Sequence, residues 1–270
     1  MYWQSDMRTA IIAFLPVALG THPEHNSRAN KPVYWLLAGD STTAPKGGWG
    51  DAFLSTTVAS GSSGHNYGHS GATTKSFRSS DWSKVVKDIG TYKSQYSVCV
   101  TIQVGLLVCH SNAGAKSRQF GHNDQKNNSG VSVSEFKANL ARFAAEATSA
   151  GATPILLTPL TRRTFDKSTH RVIENLVDQR EATIDAALAS SLKWIDLNKA
   201  STDYVNAIGQ QAASKYNLES GDWTHLNPWG GVVFARIVSD LLVAKYPGDF
   251  EAVTQKNETL SSLIKAGKPA

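Results

Sequence analysis

"VYWLLAGDST", residues 33–42, decides how this chain folds. Its first six residues form a short apolar run bounded by Pro32 and Gly39, the signature of a strand buried on both faces. A turn sequence follows at once. "SVCVTI" (97–102) and "TPILLT" (153–158) repeat the pattern, and "LKWIDL" (192–197) is a weaker fourth case. Continuous apolar strands that do not alternate belong to parallel sheets with both faces covered.

Helical periodicity lies between the strands. "SVSEFKANLARFAAEATSAG" places Phe136, Leu140, Phe143 and Ala144 on one face, with capping-box spacing at Ser132 and Glu135 and a stop at Gly151. Two more helices are expected, over 169–192 with Val172, Leu176, Ile184 and Leu188 on the apolar side, and over 229–246. By contrast, "SGSSGHNY" before Gly68 reads as a poor buried strand. Alternating strands and helices give an α/β protein of three layers, α/β/α. The sequence shows no internal repeat, linker or second domain.

Composition narrows the classes of function. A chain of 270 residues with 41% hydrophobic and 18% charged residues can bury one sizeable core, and this composition argues against wholesale disorder. The net charge of +5 admits an anionic partner, an acidic polysaccharide included. Lys and Arg are nevertheless scattered, without the basic stripe of a nucleic-acid binder.

The segment 1–29 reads as a signal peptide and leader. After Met7, a possible start, one Arg precedes an apolar run over 10–19 that is too short to span a bilayer, and cleavage is expected near Gly20 or Ala29. Residues 30–270 then form the folded domain. Sequons at Asn127 and Asn257 fit export. The expectation is a secreted, monomeric protein with no membrane partner.

Open parallel sheets carry their chemistry beyond the carboxyl ends of the strands. Directly after the first strand, Ser41 can present its hydroxyl on a tight turn and its own N–H to an oxyanion, although Gly-Asp-Ser is also a common turn sequence. A serine hydroxyl needs a base, and the base needs an acceptor on its other nitrogen. Asp222 and His225, three apart in "GDWTHLNPWGG", can supply both; alternatively Asp222 or Thr224 merely caps a helix. Gly71, in the small-residue turn of "NYGHSGATTKSF", can turn its N–H to the same place. Asn123 in "FGHND" can donate a side-chain amide, or form an Asx turn.

In their order, Ser41, Gly71, Asn123 and His225 resemble the four blocks of the SGNH (GDSL-type) hydrolase superfamily. The resemblance covers nearly all of the chain after residue 32. "AGDSTTA", "GGWGDAF", "FGHNDQK", "LTPLTRRTFD" and "DWTHLNPWG" are most similar to rhamnogalacturonan acetylesterases within it. The resemblance implies a flavodoxin-like parallel sheet and a serine esterase that deacetylates pectic polysaccharide without a cofactor or metal. It implies Ser41 as nucleophile, His225 as general base and acid, and Asp222 as its orienting partner. An oxyanion hole would come from the N–H groups of Ser41 and Gly71 and the amide of Asn123. Two other readings compete: an SGNH esterase for other acetylated glycans, small esters or lipids, and a catalytically silent glycan-binding protein.

Other residues are weaker candidates. Ser70 in "GHSGA" nearly matches a G-x-S-x-G nucleophile elbow, but Ala72 takes the last position. His69 and His122 lack metal-ligand spacing and read as hydrogen-bonding residues near the site. Trp49, Trp223 and Trp229 lie near site blocks and can stack on sugar rings or simply pack. Arg162 and Arg163 can meet acidic sugars or be solvated.

The segment 104–119 interrupts the expected join between the strand and "FGHND" by sixteen residues. It can be a lid, a loop closed by a Cys99–Cys109 disulfide, or a retained intron. The last reading is favoured, because valine codons begin with GT, one glutamine codon is CAG, and the segment keeps the reading frame. A transcript that retains the segment would end that idea.

Overall fold

The computed structural model describes residues 31–103, 123–124 and 130–270. The leader, the segment 104–119, His122 and the sequon at Asn127 lie outside the described residues. Five strands form one parallel sheet: β1 (Val33–Gly39), β2 (Ser63–Asn66), β3 (Ser97–Gln103), β4 (Thr153–Leu157) and β5 (Lys193–Ile195). Nine helices are described: α1 (Gly50–Thr56), α2 (Thr74–Ser80), α3 (Trp82–Tyr92), α4 (Val133–Ala150), α5 (Val177–Ala189), α6 (Leu197–Ala213), α7 (Pro228–Lys245), α8 (Pro247–Phe250) and α9 (Glu258–Lys265).

The strand order is β2-β1-β3-β4-β5, the flavodoxin-like order, which reverses direction of winding between β1 and β3. Successive residues of β1 face opposite layers. Trp35 and Leu37 pack with Phe53, Val233, Phe234 and Val238 on one side, and Leu36 and Ala38 pack with Phe77, Val85, Phe136 and Phe143 on the other. This is why the strand sequence is apolar without alternation. The three-layer α/β/α fold expected from the sequence is present. Among the described residues no helix is long and apolar enough to cross a membrane.

One expectation holds and one needs correction. Residues 63–66 do form a strand, at the sheet's edge against β1, with alternate side chains exposed. An edge strand needs little apolar character, so its sequence carries no buried-strand signal. The helix expected over 169–192 begins only at Val177. Before it, one Asp166 carboxylate oxygen accepts the N–H groups of Ser168 and Thr169, at 2.9 and 2.8 Å, and His170 takes a left-handed φ of 53°. Asp, Ser and Thr offer the backbone this local alternative to a helix. Val172 and Leu176 are buried from this loop, and Leu188 remains 63% exposed. The other two helices follow the pattern: Ser132 and Glu135 complete the capping box of α4, Gly151 ends it in the left-handed region, and Asn227 caps α7 ahead of Pro228.

Candidate active site

The turn after β1 is built by Asp40. One oxygen of its buried carboxylate accepts both the N–H and the hydroxyl of Thr42, each at 2.8 Å, while its carbonyl accepts the N–H groups of Thr43 and Ala44. Gly39 opposes Gln103 in the register of β1 and β3, and a Cβ there would sit 2.2 Å from Thr43 Oγ1 and 2.5 Å from the Gln103 carbonyl oxygen. Only glycine permits so close a turn. Ser41 is thereby fixed at the carboxyl edge of the sheet, at the β1/β3 switch point, with 8% of its surface exposed.

The loop before α7 meets it there. Asp222 Oδ1 accepts the N–H groups of Thr224 and His225, both at 2.9 Å, and Oδ2 lies 2.7 Å from His225 Nδ1. His225 Nε2 is 2.9 Å from Ser41 Oγ. A proton on Nδ1, shared with Asp222, leaves Nε2 as the acceptor for the serine hydroxyl. Burial pushes the Asp222 carboxyl up, but its hydrogen bonds outweigh that effect and hold it below the ordinary carboxylate value. It therefore stays anionic across the neutral range, as an orienting partner must.

Arg163 supports this loop from below. Fully buried, it donates to Asn217 Oδ1 at 2.6 Å and to the His225 carbonyl at 2.6 Å, and its own N–H donates to the Trp223 carbonyl. Burial pushes its guanidinium down to about 10, against the pull of Asp222, which leaves it charged at neutral pH. On the other side, the N–H of Leu226 donates to the Gly47 carbonyl at 2.8 Å, tying the histidine loop to the segment after Ser41.

Gly71 lies on the loop after β2, and Asn123 is linked to that loop's helix through its neighbour Asp124. The N–H of His69 donates to the Gly39 carbonyl, laying the loop after β2 against the serine turn, and Gly71 follows with a left-handed φ of 80°. Asn123 is 2% exposed and its side-chain Oδ1 makes no hydrogen bond, while Asp124 beside it accepts the N–H of Thr74 at 2.7 Å. The arrangement offers a candidate nucleophile, base, orienting carboxylate and oxyanion donors. That set suits acyl transfer.

Comparison with known proteins agrees. No family model matches the chain. A rhamnogalacturonan acetylesterase of Bacillus subtilis (strain 168), RhgT, is 28% identical over 229 residues, covering 78% of this chain and 89% of that protein. Among solved structures, the YXIM protein of Bacillus subtilis superposes with a TM-score of 0.63 at 22% identity, over 80% of this chain but only 57% of that longer one. Axe2, an acetylxylan esterase from Geobacillus stearothermophilus, gives a TM-score of 0.52 at 16% identity, covering 84% of this chain and 98% of the other. The chain is thus similar in sequence to an acetylesterase and shares the fold of these solved structures.

The remaining expected residues fall in different places. Trp49 is not a sugar-stacking residue: it is fully buried against Phe53, and its indole N–H donates to Gln103 Oε1 at 2.6 Å. Trp223 and Arg162 line a cavity of about 390 Å³ beside Asp222 and His225. Arg162 is only 6% exposed, so it forms part of the wall and is not solvated; burial pushes its guanidinium down, and Asp40 and Asp222 pull it up. Arg163 is neither solvated nor turned to substrate. Trp229 is 50% exposed and donates its indole N–H to the Ala270 carbonyl. Ser70 lies exposed, with His69 engaged by Asp81 at 2.7 Å. Asn257 is exposed and caps α9 with its side chain.

Sequence reading missed Asp40, Gln103, Asp124 and Arg163 as supports of the site. The Asp-x-Thr spacing of Asp40 and Thr42 was a usable signal for the first. The other three act across long sequence separations, which no local pattern reports.

Proposed function

We propose that this protein is a serine acetylesterase of the SGNH (GDSL-type) hydrolase superfamily that removes acetyl groups from pectic polysaccharide, with rhamnogalacturonan as its substrate. The observation that carries the reading is His225 bridging Ser41 and Asp222 within hydrogen-bond distance on both ring nitrogens. Similarity to RhgT supports the choice of substrate. The apolar run at 10–19 and the sequons at Asn127 and Asn257 support an exported, glycosylated enzyme.

In this reading Ser41 Oγ attacks the acetyl carbonyl carbon while His225 Nε2 takes its proton. The negative charge on the carbonyl oxygen meets the N–H groups of Ser41 and Gly71 and the Asn123 amide. The ester C–O bond then breaks, the sugar oxygen takes the proton from His225, and acetyl-Ser41 remains. Water attacks that ester with its proton passing to His225, and acetate leaves as Ser41 recovers its hydrogen. Asp222 stabilises the imidazolium in both halves.

Acetate release from acetylated rhamnogalacturonan, compared with acetylated xylan, tests the substrate. Greater release from rhamnogalacturonan supports it, and a preference for xylan overturns it. A serine-reactive phosphonate should label the wild type and not Ser41→Ala, which should lose nearly all turnover. Asn123→Ala should stay folded and lose on the order of 10²–10³ in rate, roughly 3–4 kcal/mol of transition-state stabilisation. An unchanged rate would remove Asn123 from the oxyanion hole.

A further inference from the structure

Gly71 and Asn123 come from separate parts of the chain, and something must hold them in register. Among the described residues, noncovalent contacts join the segment of Asn123 to the rest of the fold. Productive placement of such a donor requires agreement within about 0.5 Å.

Asp124 makes the contacts that meet this need. Its carboxylate is 3% exposed, and Oδ1 accepts both the N–H and the hydroxyl of Thr74, the first residue of α2. Thr74 is itself fully buried, and its hydroxyl oxygen accepts the side-chain amide of Asn139 on α4 at 2.9 Å. Covalent geometry supplies the remaining links. Asn123 is joined directly to Asp124, and Gly71 stands three residues before Thr74, in a turn closed by the Ala72 N–H on the His69 carbonyl.

We propose that Asp124 is a positioning residue: by clamping Thr74 it holds the amide of Asn123 and the N–H of Gly71 at one distance from Ser41. This rests on the reading of Gly71 and Asn123 as oxyanion donors. Two hydrogen bonds from adjacent donors to one buried carboxylate oxygen fix direction as well as distance, which a single bond would not. A carboxylate so deeply buried is expensive unless it is hydrogen-bonded, so the pairing with Thr74 is also a requirement of the fold. The side chain does not touch substrate in this role. Its loss should therefore appear in the chemical step and leave substrate binding intact.

The test measures kcat and KM for a chromogenic acetyl ester, the rate of phosphonate labelling of Ser41, and Tm, in wild type, Asp124→Ala, Asn123→Ala and the double variant. Asp124→Ala should lower kcat and the labelling rate about 10–100-fold with KM little changed, the scale expected for a misplaced catalytic group. The double variant should lose less than the product of the two single losses, because Asp124 acts partly through Asn123. Asp124→Asn keeps an acceptor for the Thr74 N–H and should restore most of kcat. Should Asp124→Ala fail to fold, Thr74→Val, which removes one of the two bonds, should lower kcat in the same way. An unchanged kcat in Asp124→Ala (or in Thr74→Val, where that variant stands in), or multiplicative losses in the double variant, would overturn the clamp. If Asn123→Ala itself leaves kcat unchanged, the donor assignment fails and the clamp falls with it. If Asn123→Ala loses rate and Asp124→Ala does not, the clamp alone is wrong.

Discussion

Asp222 uses its two carboxylate oxygens for different tasks: Oδ1 shapes the backbone of the histidine loop, and Oδ2 holds the imidazole ring. Asp222→Asn should keep an acceptor for the backbone while losing the anion beside Nδ1. The expected outcome is a chain that melts close to wild type and loses about 10³–10⁴ in kcat, as when a triad carboxylate becomes an amide. Melting curves beside acetate-release rates check it, and a loss below tenfold would show that His225 does not depend on this carboxylate. At this scale the site was largely legible. Ser41 follows a strand, and Asp222 and His225 share one turn, so their chemistry can be read from spacing. Asp124 and Gln103 were not legible, because their meaning comes from Thr74 and Trp49, which lie 50 and 54 residues away.

Among the elements, the loop between Asn217 and Asn227 depends on Arg163, which reaches it from the segment after β4. Each hydrogen bond from a charged group is worth about 1.5–3 kcal/mol, and unmade bonds leave buried acceptors unpaired. Arg163→Met should therefore cost about 3 kcal/mol or more, since it strands Asn217 Oδ1 and the His225 carbonyl. For a chain of this size that corresponds to a Tm drop of about 6–12 °C, with activity falling as His225 loses its seat. A melting temperature within two degrees of wild type (about 1 kcal/mol or less) would contradict this support. The apolar strands and α4 were readable because their own side chains face the core with the correct period. The edge strand β2 was not, since half of it faces solvent. The start of α5 was misread because Asp166, Ser168 and Thr169 compete locally for the backbone.

For the whole molecule, the buried groups make stability depend on pH. Burial, with the charge of Asp40, pushes the Asp124 carboxyl up to about 7, although its bonds from Thr74 oppose this. The unfolded chain releases this proton near pH 4, so between about pH 4 and 7 the folded state holds a proton that the unfolded state has lost. The contribution is fully present below that range and is lost as pH rises through 7. Asp124→Asn carries no such proton, so urea midpoints of wild type and variant should converge or cross as pH rises from 5 to 8 (a span chosen about the folded value). Parallel curves would show that Asp124 does not titrate there. The layers of the molecule were decided locally: apolar runs without alternation require a sheet covered on both faces, and turn residues after each strand bring reactive groups to its carboxyl edge. Strand order, the burial of Trp49 and Arg163, and the joining of Asp124 to Thr74 were decided only by tertiary packing. Periodicity records which way a side chain faces. It does not record which distant residue it will meet, because that partner is selected by the free energy of the whole packed core.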